Sequence, residues 1–450
     1  MKLRTFTLLA ALALVLALIV PTVGAQGITY SSGFQVQNLS GNTANISITF
    51  YNQDGSVAGS TSDTIAANSS KTYFPIPVVS NGFNGSAVIS SDQPVAAITN
   101  LLGNYPTYGG STTGFTSGAN SVGLPLIMRN NNGFSTWFNV QNTGSSPANV
   151  TVTYRPAPGQ PGNSGQTDTA TIQPGAAKTF NQADKSGLGS TFIGSATVAS
   201  DQPVVAMVNQ VGTGGIQALL MYDGFTGGSN TVQAPLIMAN NSGFFTGLSI
   251  QNVGGSDTTA TIDYSANTAG AFNPTDETVS IPAGGSAVVL QNAGQWGSNK
   301  YIGGATVSAS QPLEVVVNQL KIGTVSFGTA YEGFNPTNLT DKVSAPLLMA
   351  NNSGFYTGVQ CQNTSGSSTT VSVAYGPNTA GAFTPANETA TVASGASATF
   401  LQNGGAWGSN KYVGSATITA SGGANIACIV NELNAGAAGD QFLTYDAINY

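Results

Sequence analysis

One segment of this chain is written four times, and that repetition limits what the chain can fold into more than any other feature. Ala234–Asn252 reads APLIMANNSGFFTGLSIQN, Ala345–Asn363 reads APLLMANNSGFYTGVQCQN, and Leu124–Asn142 reads LPLIMRNNNGFSTWFNVQN. A shortened form, ITYSSGFQVQN, occupies Ile28–Asn38. The copies recur at roughly 110 residues, the size of a whole small domain rather than of a solenoid turn.

Within a copy the pattern is that of strands. In the third, the apolar run Pro235–Met238 is followed by the turn Asn240-Asn241-Ser242-Gly243. Leu248–Asn252 and Thr258–Tyr264 then alternate with a period of two. Glu277–Ile281, Ala287–Leu290, Ala305–Ala309, Leu313–Gln319 and Val325–Tyr331 complete eight short segments, none with a helical period of adequate length. The turns repeat as well. Gly175, Gly284 and Gly395 stand three residues after a strand, with Asn68 at that place in the first copy, which marks a positive φ. Asp92-Gln-Pro94, Asp201-Gln-Pro203 and Ser310-Gln-Pro312 predict a tight hairpin with proline at the entrance of the next strand.

Eight short strands per copy with regular turns resemble the immunoglobulin-like sandwich, and the whole chain resembles the tandem Ig-like repeat proteins of bacterial cell surfaces. The resemblance implies an all-β chain of four tandem Ig-like β-sandwich domains in a rod. Their expected bounds are 26–108, 122–225, 233–334 and 343–450, joined by short linkers rich in Gly, Ser, Thr and Asn. Copies three and four are closest, sharing NTAGAF (Asn267–Phe272, Asn378–Phe383) and WGSNKY.

Residues 1–25 read as a secretory signal peptide: Lys2 and Arg4, the apolar run Leu8–Val20, then Val23-Gly24-Ala25 as a cleavage site. The run is short of the roughly 20 residues a membrane span needs, so the mature chain is expected outside the cell with no membrane span. Removing Lys2 and Arg4 takes the formal net charge from −7 to −9, leaving no basic stripe for nucleic acid. Charged residues make up 6% of the chain, so little repulsion keeps such surfaces apart. The absence of histidine excludes Ser-His-Asp and Cys-His catalysis and histidine-containing zinc sites.

Cys361 and Cys428 stand at places held by aliphatic residues in the other copies, in registers that face the core. The adjacent register, which carries Glu314 in copy three, then faces out. In an exported chain that resembles Ig-like proteins, the two thiols imply an intersheet disulfide. Trp296 and Tyr301, with Trp407 and Tyr412, lie in matching loops. They are candidate carbohydrate contacts, since an indole face suits a pyranose ring; the competing reading makes each tryptophan the cap of its own core. Trp137 is expected in a core or an interface. The carboxylates (Asp54, Asp168, Asp223, Asp263, Asp276, Glu277, Glu332, Glu388 and Asp440 among them) look scattered, without the converging pair a glycosidase needs. No catalytic residue, cofactor or metal site is expected. The function expected is that of a secreted, non-enzymatic structural or adhesive surface protein that self-associates, through its unprotected edge strands, into filaments or a lattice. The alternative is a carbohydrate-binding array. The partners are other copies, cell-surface components or polysaccharide.

Overall fold

The computed structural model of the chain describes residues 12–19, 27–76, 78–104, 107–213, 215–323 and 326–450. It is all-β, and the eight-segment set recurs four times as a pair of facing sheets. In the third repeat one sheet runs Glu277–Ile281, Thr258–Tyr264, the first half of Tyr301–Lys321, and Ser229–Ala239. The other runs Ser286–Leu290, Phe245–Asn252, the second half of Tyr301–Lys321, and Phe327–Glu332. In constant-type immunoglobulin domains the first, second, fourth and fifth strands share a sheet. Here the first and fourth lie with the third and sixth.

The expected hairpin at the Asp/Ser-Gln-Pro motif is not formed. The chain runs on through it with a bend instead of reversing, and in repeats two and three a single strand (Phe192–Gly212, Tyr301–Lys321) crosses from one sheet to the other. Proline has no N–H to give, so it fits the point where the ladder changes partners. In repeat two Asp201 fixes the bend by accepting from the Asn149 backbone N–H and side-chain amide, both at 2.7 Å, and Asp92 does the same with Asn45.

The repeated motif is explained locally. Its final asparagine, Asn252, donates to the carbonyls of Ser256 and Ile281 and accepts from the Gly254 N–H, closing the turn. Asn38, Asn142 and Asn363 do likewise. The positive φ expected at Gly175, Gly284, Gly395 and Asn68 is present. The proline of APLIM sits in a register shift of the first strand, and the bulged backbone of Leu236 is gripped by the Tyr331 hydroxyl. Tyr222 grips Leu126 and Tyr445 grips Leu347 in the same way.

The first repeat obtains its first strand from an unexpected place. Leu12–Ile19, within the segment read as a leader, pairs antiparallel with Asn84–Ser91 without a register shift. It takes the position that Ala119–Arg129, Ser229–Ala239 and Lys342–Ala350 hold in the other repeats. The rest of 1–25 lies outside the described residues.

The four repeats do not form a rod. They close into a ring. The last strands of the repeats, Tyr108–Thr113, Leu219–Asp223, Phe327–Glu332 and Phe442–Asp446, pack in that cyclic order, the fourth against the first. Around them the first strands of repeats two, three and four each meet the second strand of the next repeat. The Ser397 hydroxyl of repeat four donates to the Pro235 carbonyl of repeat three, and Gln35 of repeat one to the Pro346 carbonyl of repeat four. Each second strand is therefore covered on both faces, and Phe134–Asn142 is buried along its whole length. Its inner face (Phe134, Phe138, Val140) fills its own core, while the other (Trp137, Asn139, Gln141) faces a neighbour.

Paired amides set the junctions. Gln210 and Asn318 exchange two hydrogen bonds, of 3.0 and 2.7 Å, between repeats two and three. Gln319 and Asn431 do so between three and four, at 3.1 and 3.0 Å. Between four and one, Asn100 donates to Glu432. Between one and two the glutamine place holds Leu101, and both polar side-chain atoms of fully buried Asn209 lack a partner among the described residues.

Candidate functional site

The residues singled out as sugar contacts are inside the protein. Trp296 is 1% exposed and Trp407 4%, and Tyr301 and Tyr412 are fully buried. Trp296 packs edge-on against Tyr264, Phe272 and Tyr301, and its indole N–H donates to Glu277 at 3.0 Å. Trp407 repeats this against Tyr375, Phe383, Tyr412 and Glu388. An indole with both faces packed cannot stack a sugar, so these residues cap cores. Asn240 ties the neighbouring loop down, donating to the carbonyls of Gly297 and Asn299 at 2.8 Å. NNSG and WGSN recur together for that reason.

Cys361 and Cys428 form a buried disulfide. It does not bridge the two sheets. The cysteines are cross-strand partners on Tyr356–Asn363 and Ile426–Leu433 of one sheet, with Cα atoms 4.1 Å apart. The same register pairs Val36 with Ala97, Val140 with Ala206, and Ile250 with Val315. Glu314 does face out of its sandwich, but into a junction: it is 3% exposed and lies against the backbone at Gly123 of repeat two.

Some of the carboxylates that look scattered in sequence meet on the axis of the ring. The last strand ends in Tyr222-Asp223, Tyr331-Glu332 and Tyr445-Asp446, with Thr112-Thr113 in the first repeat. The tyrosines turn into their own sandwiches and the next residues turn toward the axis. Thr113 donates to Asp223 at 2.7 Å, the Asp223 N–H donates to Glu332, and the Asp446 carboxyl lies beside that of Glu332. One oxygen each of Asp223 and Asp446 has no partner among the described residues. Burial is the first cause of every shift here. It pushes the Asp223 carboxyl up to about 7 and those of Glu332 and Asp446 well above the ordinary range.

Asp440 clasps the other end of the axis. Its carboxyl accepts from the backbone N–H groups of Leu219, Gly328 and Phe442, and its own N–H donates to Thr107, so one residue touches all four repeats. Burial pushes it well above the usual carboxylate range, and pushes Glu314 and Glu432 to about 8. The two salt bridges found among the described residues, Lys71–Asp63 and Lys185–Asp168, lie elsewhere. The axis thus gathers buried acids that form no salt bridge among the described residues. Among the described residues no set of three or more Asp, Glu or Cys is arranged to hold a metal ion.

No family model and no curated protein matches this chain. Its reading rests on the geometry above. Sequence reasoning missed the axis although a signal was present: an acid follows tyrosine at the end of the last strand in three repeats out of four.

Proposed function

We propose that this chain is a secreted, non-enzymatic structural or adhesive protein of the cell surface, working as one closed block of four immunoglobulin-like sandwich repeats. The leader-like N-terminal sequence and the buried disulfide support an oxidising compartment. The observation that carries the adhesive reading is what the ring leaves outward. Junctions and axis take up the paired amides and Asp223, Glu314, Glu332, Glu432, Asp440 and Asp446, the cores take up Trp296 and Trp407, and the outer sheet of each repeat offers rows of hydroxyls. In repeat two, exposed Thr167, Thr169 and Thr171 stand beside Thr153, Thr151 and Asn149 of the next strand. With strands about 4.8 Å apart, this is a lattice of Oγ groups, bounded by Asp201 at one end and Arg155 at the other, suited to hydroxyl-rich surfaces such as envelope polysaccharide.

Retention on isolated cell envelopes tests the reading. Replacing Thr151, Thr167 and Thr169 with lysine is expected to lower retention at least tenfold while circular dichroism and melting stay unchanged. Unchanged retention of the triple variant would remove the adhesive reading. Self-association into a filament or lattice would have to grow through the outer edge strands, such as Gln166–Ile172 and Glu277–Ile281, because the junction faces are occupied within the chain.

A further inference from the structure

The place on the second strand that looks into each junction is occupied by Gly33, Trp137, Gly247 and Gly358 in the four repeats. Register fixes the equivalence. Trp137 is opposite Asn181 and Asn209, Gly247 opposite Leu290 and Asn318, and Gly358 opposite Leu401 and Asn431. At the junction of repeats one and two the Trp137 indole fills the space. It is 7% exposed and stands edge-on to Tyr30 with ring centroids 5.6 Å apart, in a cluster with Leu101, Met207 and Val211.

At the next two junctions the glycines leave that space open, as clefts of about 320 and 310 Å³. The walls correspond to those that hold the indole. Phe134 and Phe244 stand where Tyr30 does, and Leu320 and Leu433 where Val211 does. Asn318 and Asn431, at the place of Asn209, form the polar floor, joined in the first cleft by Gln210. At the mouths, Leu290 and Leu401 are 47% and 50% exposed and lean over the glycines. The residues lining both clefts carry no charge.

We propose that these two clefts bind small, neutral, planar aromatic molecules of about indole size. The chain shows the complex once already, with its own Trp137 as the occupant. An aromatic ring entering between Met128 and Leu290, or between Met238 and Leu401, meets the edge of Phe134 or Phe244, the arrangement aromatic rings favour. Asn318 and Asn431 each spend one side-chain N–H on the glutamine partner and keep a second for a ligand carbonyl. The Asn318 carbonyl also keeps a lone pair for a ring N–H, whereas that of Asn431 already accepts from Gln319 and Thr444. A charged ligand would lose its hydration with nothing to replace it. The size and mostly apolar lining suit a small-molecule site. This inference is independent of the adhesive reading.

Calorimetric titration of the full chain with indole is expected to show two equivalents bound. G247W and G358W should each remove one, and the double variant should bind none. Both substitutions install the residue that the first junction already carries. Intermolecular nuclear Overhauser effects from indole to the Met128 and Met238 methyls supply a readout that needs no variant. No saturable binding to the wild-type chain, binding that survives in the double variant, or contacts confined to residues elsewhere would each overturn the proposal.

Discussion

Asn209 is where the amide pairing between repeats breaks, and it gives a test at the scale of one side chain. Fully buried with neither polar atom bonded, it carries a desolvation cost that Asn318 and Asn431 avoid. Asn209→Leu is expected to raise unfolding free energy by about 1–2 kcal/mol, and Asn318→Leu to lower it by a similar amount because Gln210 is orphaned. Chemical denaturation of both variants checks this; equal effects would mean that pairing is not what matters. The buried acids give a second test. Unfolded, they titrate near about 4; in the fold, burial pushes Asp223 up to about 7, Glu314 and Glu432 up to about 8, and Glu332, Asp440 and Asp446 well above the ordinary carboxylate range. Between those limits the folded chain keeps protons that the unfolded chain releases. Stability is therefore fully present below about pH 4 and lost as pH rises through 7 to 8, by up to about 4 kcal/mol for a group moved three units. Melting temperatures from pH 4 to 8 should fall, and Glu332→Gln should flatten the slope. A chain more stable at pH 8 than at pH 4 would contradict the description of the axis.

At the scale of elements, the strands were legible and their partners were not. Period-two alternation in Thr258–Tyr264 and turn residues such as Asn252 and Gly284 act locally, so sequence carries them. The Asp-Gln-Pro bend was misread because proline at a strand entrance fits a hairpin and a change of sheet equally well. The same limit applies to Cys361 and Cys428: inward registers say that two thiols reach one core, not whether they share a sheet. Their bridge closes a separation of 67 residues, and reduction should cost repeat four about 4 kcal/mol on the chain-entropy account. Two free thiols in non-reduced mass spectra would refute the bridge. For the first repeat, loss of Leu12–Ile19 uncovers one side of Asn84–Ser91. Amide exchange across Asn84–Ser91 should therefore be at least tenfold faster in a chain starting at Gln26 than in one starting at Met1. Equal exchange would show that this strand adds nothing to the repeat.

At the scale of the whole molecule, the sequence suggested a rod because junction faces look like solvent faces. Trp137, Asn139 and Gln141, or Ser249 and Gln251, alternate with core residues just as a wetted strand face would, and amides bury well only when another repeat supplies matching amides. The acids at 223, 332 and 446 lie about 110 residues apart in sequence and become neighbours only when repeats two, three and four pack their last strands side by side around the axis. Closure of the ring is the central claim, and small-angle scattering of the dilute full chain measures it most directly. A closed ring should approach the radius of gyration of a globular chain of this length, about 22 Å. A radius roughly twice that, with the linear cross-section profile of four sandwiches in a row, would contradict it.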